Sequence, residues 1–259
     1  GKSMSDIKVI VLAGQGESTA LMINGIKDFF SIEKIVIEAP VQKSQLLSRR
    51  VKSLGLPKVI GQILFMIYNK VWLKKKSQIR INEIKHNENL NDENIDESIV
   101  INVDSINSKE VKRILKEHQP DVVVVNGTRI IKKEIIETVD VPFINTHVGI
   151  TPKYRGVHGG YWALTENDIE HCGVTVHLID TGIDTGGILY QDVISVTDKD
   201  TFNTYPYLQM AAAIPLIKKA IIDIANKTYT TRKVDLPSKL WSHPTLMEYL
   251  KYRILRRVK

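Results

Sequence analysis

The sequence predicts an α/β protein built on a mostly parallel sheet with helices on both faces. Three observations carry that expectation. Short apolar runs rich in β-branched residues recur along the chain, amphipathic stretches of helical period separate them, and Gly, Pro and Asn mark the junctions. The runs are near-continuous rather than alternating, as expected for strands buried on both sides.

The first run, IKVIVLA (7–13), reads as a strand; GQGES (14–18) then turns into a helical stretch, TALMINGIKDFF (19–30). EKIVIEA (33–39), SIVINV (98–103), PDVVVVNG (120–127) and PFINTH (142–147) read as further strands. The helical stretches SKEVKRILKEH and KKEIIETV lie between them. GVTVHLI and ILYQDVISV are strands joined by a turn, followed by a helix over about 203–226. No internal repeat is visible.

One segment breaks this rhythm. Residues 43–85 read as two helices interrupted near Gly55-Leu56-Pro57, and the second carries ILFMIYNKVWL between lysines. It is too short to span a bilayer. The expectation is a helical insertion packed on the domain with its lysines in solvent; a peripheral contact with an anionic membrane surface is the alternative. The acidic, Asn-rich stretch that follows (82–97) reads as a mobile surface loop. The resulting division is a catalytic domain over 4–226, with the insertion inside it, and a short extension over 227–259.

Composition narrows the functional classes. The 43% hydrophobic and 25% charged content is that of an ordinary globular protein. Cys172 is the only cysteine, so no intrachain disulfide forms and a reducing, cytoplasmic setting is expected. The first apolar run is too short for a secretory signal and ends in glycine. A net charge of +7 suits an anionic ligand. The terminal KYRILRRVK is basic but too small to be a nucleic-acid module, so no nucleic-acid partner is expected.

The chemistry concentrates in INTHVGITPKYRG (144–156). Ligands of open parallel sheets bind beyond the carboxyl ends of the strands. Asn145 and His147 fall at such an end, and positions i and i+2 of a strand share a face. GVTVHLIDTGIDTGG (173–187) adds Asp180 and Asp184 in a glycine-rich loop. If its strand lies beside the first, a carboxylate can reach His147 and fix its tautomer. An amide and an imidazole can donate to a tetrahedral oxyanion while imidazole and carboxylate move a proton. That set suits acyl transfer to an amine; the same residue types also serve simply to cap and turn loops.

Together the two motifs resemble those of the folate-dependent formyltransferases: Asn-x-His, a proline-ended loop, then an aspartate in a glycine-rich loop. The likeness extends from about residue 7 to 225, most strongly over 120–196. It implies a Rossmann-like α/β fold, 10-formyltetrahydrofolate as co-substrate and Asn145, His147 and Asp184 as the catalytic trio. By the same resemblance the pterin would lie against Asn126, Gly127, Thr128, Arg129 and Ile130, and against Ile179, Asp180 and Thr181. This chain has HVGITP where the family commonly has His-Pro-Ser-Leu-Leu-Pro, which leaves the trio intact but bears on substrate identity.

Gly14, Gln15, Gly16, Glu17 and Ser18 form the second ligand candidate, since glycines at a strand-to-helix turn admit a phosphate to the helix N-terminus. Under the resemblance this turn faces the acceptor. Read alone, GQGES with Glu38 could instead mimic a nicotinamide-binding site, although the third glycine is missing. Tyr161 and Trp162, at the start of a predicted helix, either wall the acceptor pocket or pack in the core. His158, His171 and His177 lack zinc-ligand spacing, so no metal is expected, and His177 reads as structural. Among family acceptors, the short extension weighs against tRNA and the insertion against glycinamide ribonucleotide. A nucleotide-linked amino sugar, such as a 4-amino-4,6-dideoxy sugar destined for surface polysaccharide (lipopolysaccharide), is the expected substrate. Hydrolysis of 10-formyltetrahydrofolate, an oxidoreductase and a homodimer remain open.

Overall fold

The computed structural model describes residues 1–179 and 187–259. Among them, β1 (Lys8–Gly14), β2 (Ser31–Glu38), β3 (Val100–Val103), β4 (Val122–Asn126), β5 (Phe143–His147), β7 (Gly173–Ile179) and β8 (Ile188–Val193) form one sheet of order β3-β2-β1-β4-β5-β7-β8. The first five are parallel; β7 is antiparallel to β5, and β8 to β7. The order reverses between β1 and β4, where an open sheet leaves a crevice at its carboxyl edge.

Alternation along the buried strands divides the core between two faces. On one, Val9, Val11, Ala13, Val122, Val124 and Ile144 pack against α1 (Glu17–Ile26) and α8 (Tyr205–Ala225). On the other, Ile10, Leu12, Val123, Val125 and Phe143 pack against α5 (Lys109–His118) and α6 (Lys133–Ile136). Helix α5 begins at a Ser108 cap, whose hydroxyl accepts from Val111 N–H, and buries Val111, Ile114 and Leu115 along one stripe.

The insertion comprises α2 (Lys43–Leu54), α3 (Leu56–Tyr68) and α4 (Lys74–Asn87), with α3 and α4 joined by a π-helical turn over Asn69–Leu73. Gly55 makes the break, but the second helical run continues to Asn87. The head of the Asn-rich stretch is therefore helical. Its remainder is tethered: Asn24 Nδ2 donates to the carbonyls of Asn91 and Glu93, and Leu90 is buried.

Beyond α8 the chain crosses back. A short β9 (Leu240–Trp241) pairs in parallel with β6 (Arg155–Gly156), and α9 (Leu246–Leu255), opened by a Thr245/Glu248 capping box, packs on α3. Phe65 of α3 lies 4.9 Å from Phe202 and 5.0 Å from Tyr249 of α9, ring centre to ring centre. The insertion and the C-terminal segment, distant in sequence, thus share one aromatic core.

Candidate active site

Three strand ends meet at the crevice. Gly14 closes β1, Asn126 closes β4, and β5 ends in Asn145-Thr146-His147. A Cβ on Gly14 would stand 2.5 Å from the Gly127 carbonyl, so glycine lets the turns after β1 and β4 touch. Gly127 has a φ of +72°, and a Cβ built there would meet nothing within 4 Å; its backbone borders open space.

Asn145 and His147 lie on one face of β5, that of Phe143 and Val125. Their antiparallel neighbours are His177 opposite Asn145 and Thr175 opposite His147. Residues opposite one another in a ladder project together, so His177 joins this face; its ring centroid is 6.5 Å from that of His147. The alternation that made His177 look structural has the parity that delivers it here, but that parity is unreadable without knowing the β5–β7 register.

Buried polar groups hold the loop after β5. Thr175 Oγ1 donates to the Gly149 carbonyl at 2.8 Å and accepts from Thr151 N–H and Gln191 Nε2. That uses the hydroxyl's donor and both its lone pairs. Gln191 Nε2 also donates to the Thr151 carbonyl, and Gln209 Nε2 bridges the carbonyls of Val148 and Gly173. A Cβ on Gly159 would meet the Val148 carbonyl at 2.5 Å, so the loop seats directly on the start of α7 (Gly159–Thr165). Sequence reasoning missed Thr175, Gln191 and Gln209, whose partners are backbone groups fixed only by the fold.

The other expected ligand residues divide. Asn126 projects to the opposite face from Asn145, with Nδ2 3.3 Å from the hydroxyls of Ser18 and Thr19. Thr19 in turn donates to the Gly14 carbonyl. Arg129 is heavily engaged: its N–H donates to Glu38 Oε1, and its guanidinium reaches Glu38 and the carbonyls of Ala39 and Asp104. Ile130 is exposed; its carbonyl accepts from Asn107, while Thr128 Oγ1 donates to the Arg129 carbonyl. Glu17 takes an ion pair from Lys85 and a hydrogen bond from Tyr207. Ile179 pairs with Phe143 at the end of β7. Asp180, Thr181 and Asp184 lie outside the described residues.

Burial bears on two readings that the sequence left open. Glu38 is buried, accepting from Ile106 N–H at 2.7 Å as well as from Arg129, so no free carboxylate awaits a nicotinamide ribose. Tyr161 and Trp162 sit in the aromatic core beside Phe202, Tyr249 and Trp241, not at the strand ends. Trp162 Nε1 donates to the Ser242 carbonyl there. The glycines of VHGGYWAL make the α7 start close-packed, which carries both rings inward.

On the α1 side of the crevice a cleft of about 230 Å³ opens beside the first turn, lined by Gly14, Gln15, Gly16, Thr19, Asn94 and Asn102 among others. A ligand anchored there reaches the Asn145 face only across the carboxyl edge. The lone cysteine is no nucleophile: Cys172 is buried, and burial pushes its thiol up to about 12. His158 and His243 form a hydrogen-bonded pair, Nε2 to Nδ1 at 3.0 Å, in the aromatic core. Burial takes His158 down to about 3 and His243 to about 4, with each also facing a nearby base, His243 and Arg50 respectively. Among the described residues no group of three or more His, Cys, Asp or Glu is arranged to hold a metal.

A family model described as Formyl transferase matches residues 45–210, more than half of the chain. A methionyl-tRNA formyltransferase of Finegoldia magna is 34% identical over 135 residues, covering 52% of this chain and 43% of that protein. The chain therefore matches less than half the length of that relative. Among solved structures, phosphoribosylglycinamide formyltransferase from Anaplasma phagocytophilum aligns with a TM-score of 0.55 at 16% identity, covering 91% of this chain and 98% of its own. The N-formyltransferase from Helicobacter canadensis, in complex with folinic acid and dTDP-3-aminofucose, aligns with a TM-score of 0.52 at 20% identity, covering 90% and 70%. At these identities the structural matches speak for the fold.

Proposed function

Because the chain belongs to the formyl transferase family, we propose that it moves a formyl group from 10-formyltetrahydrofolate to the amine of a nucleotide-linked amino sugar. The observation that carries the transfer reaction is the joint presentation of Asn145 and His147 from the end of β5, above a loop braced by Thr175, Gln191 and Gln209. A preorganised donor pair stabilises an oxyanion without reorganising as charge develops. Asn145 Nδ2 would donate to the formyl oxygen as the amine attacks, and His147 would donate alongside it or take the amine's proton. Asp184 is assigned the orienting carboxylate.

In this reading the folate ring would lie against the backbone of 126–128, beside Asn145's strand; what supports it is that Gly127 borders open space. Bound there, the folate supplies the activated formyl group. Arg129 is assigned to holding that segment rather than to the ligand, since its donors face Glu38 and two carbonyls.

The sugar acceptor rests on two supports. Under this reading the cleft beside Gly14-Gln15-Gly16 would take the diphosphate on its backbone N–H groups, with Asn94, Asn102 and Glu97 left to the hydroxyls and the amine extended over the strand ends. The Helicobacter canadensis enzyme, of similar fold, holds dTDP-3-aminofucose. A second reading, formylation of methionyl-tRNA, is favoured by the name and identity of the Finegoldia magna relative.

One assay separates these. The protein is incubated with 10-formyltetrahydrofolate and, in turn, a nucleoside-diphosphate amino sugar, methionyl-tRNA, glycinamide ribonucleotide or no amine, with products read by mass. A formylated sugar nucleotide is the expected product. Formyl-methionyl-tRNA would replace the acceptor and keep the chemistry; free formate without any amine would make the enzyme a hydrolase. No turnover in any arm would remove the reading.

A further inference from the structure

We infer that the insertion docks on the surface of an anionic lipid bilayer. Helix α3 carries apolar side chains on both its protein-facing and its solvent-facing sides, with Lys58 and Gln62 its polar long side chains. Val59, Gln62 and Phe65 face the protein, while Leu56, Ile60, Leu64 and Ile67 follow one another at helical spacing on the side facing solvent. With Val71 and Trp72 of the π turn, these six are 48% to 58% exposed. A soluble helix buries such a stripe; a run of this length left open marks a docking face.

Charge identifies the occupant. Between residues 43 and 76 there are nine Lys or Arg and no Asp or Glu, and all but Arg50 of the nine are exposed. A second copy of the chain on this face would bring two such sets together, since a two-fold interface pairs each patch with itself. Nucleic acid would satisfy the charge but offer nothing to the apolar stripe. An anionic bilayer satisfies both, with side chains entering the acyl boundary and lysines remaining among the headgroups. Trp72 suits that boundary, its ring capped by Lys76 Nζ at 4.3 Å. Among the described residues no helix is long and apolar enough to cross the membrane, so the contact is peripheral.

The test is flotation of the full chain with phosphatidylcholine vesicles, with and without about one-third phosphatidylserine. The expected result is binding at least about tenfold stronger to the anionic vesicles, weakened by raised salt. Ile60→Ser with Ile67→Ser should lower it by about tenfold or more while circular dichroism and the thermal midpoint stay unchanged. A measurement needing no stable multiple variant is Trp emission, which should shift to the blue with anionic vesicles in the native protein and not in Trp72→Phe. No binding to either vesicle would overturn the inference. So would binding indifferent to the apolar substitutions, or a lipid-free dimer that those substitutions dissolve. All of these readouts are independent of formyl transfer.

Discussion

His177 stands directly across the antiparallel ladder from Asn145, with its ring centroid 6.5 Å from that of His147. The amide thus has an imidazole on either side, one two positions along its own strand and one across the ladder. Changes at His177 should therefore alter the surroundings of the reacting pair without removing either member.

Replacing the pair itself should be severe. His147→Ala should lower kcat by about 10²–10⁴-fold and Asn145→Ala by about 10²–10³-fold, with KM for both substrates little moved. His177→Gln should retain most activity but shift the pH profile of kcat. Steady-state kinetics with the identified acceptor checks all three; full activity in His147→Ala would end the catalytic assignment.

Glu38 should act through the 127–130 segment. Its carboxylate accepts the N–H groups of Ile106 and Arg129, so Glu38→Ala leaves one buried and one part-buried donor without that partner. The expected loss is about 1–3 kcal/mol of stability, with KM for 10-formyltetrahydrofolate rising more than kcat falls. Urea titration and folate-dependent kinetics measure the two effects, and the native protein should give no heat signal with NAD.

The His158–His243 pair should make stability fall toward acid. Both folded-state values, about 3 and about 4, lie below the ordinary value of 6.5. The unfolded chain therefore binds more protons, and stability declines once pH drops below about 6.5, by up to about 1.4 kcal/mol per unit for each ring, until the folded values are reached. Urea midpoints between pH 7 and 4 should show that slope, reduced in His243→Asn. A flat profile would contradict the pair's neutral burial.

Arg80 should clamp α4 to the start of α8. Asp200 is buried, and its carboxylate takes Arg80 Nε at 2.8 Å together with Thr197 and Thr204. Burial by itself would raise Asp200, but those hydrogen bonds and the guanidinium charge bring it below the usual carboxylate value. Arg80→Ala strands that charge and should cost about 3 kcal/mol. Because the folded value is depressed, this stabilisation is fully present above the ordinary carboxylate value, declines below it and is lost as pH falls through the lower folded value. Comparing Arg80→Ala with Arg80→Lys by thermal melts measures the clamp.

Sequence reasoning reached the elements whose residues interact locally. The apolar runs became β1 to β5 within a residue or two, and Gly55 broke the insertion where its sequence placed the break. Asn145 and His147 were legible because a period of two along one strand decides their common face. The second insertion helix ran on to Asn87, past the expected end, through a π turn whose Asn69 Oδ1 accepts from Asn203. That contact comes from a distant part of the chain.

Spacings of a few residues along the chain already carried the α/β alternation, the family motif and the pairing of an amide with an imidazole. Tertiary structure alone decided that His177 joins them, that Glu38 and Arg129 spend their polar groups on one another, and that Tyr161 and Trp162 turn into an aromatic core. It also joined the insertion to the C-terminal segment while leaving one side of α3 uncovered. The reason is physical: strand register, burial and hydrogen-bond satisfaction between remote segments depend on which elements become neighbours, and local pattern carries no record of that.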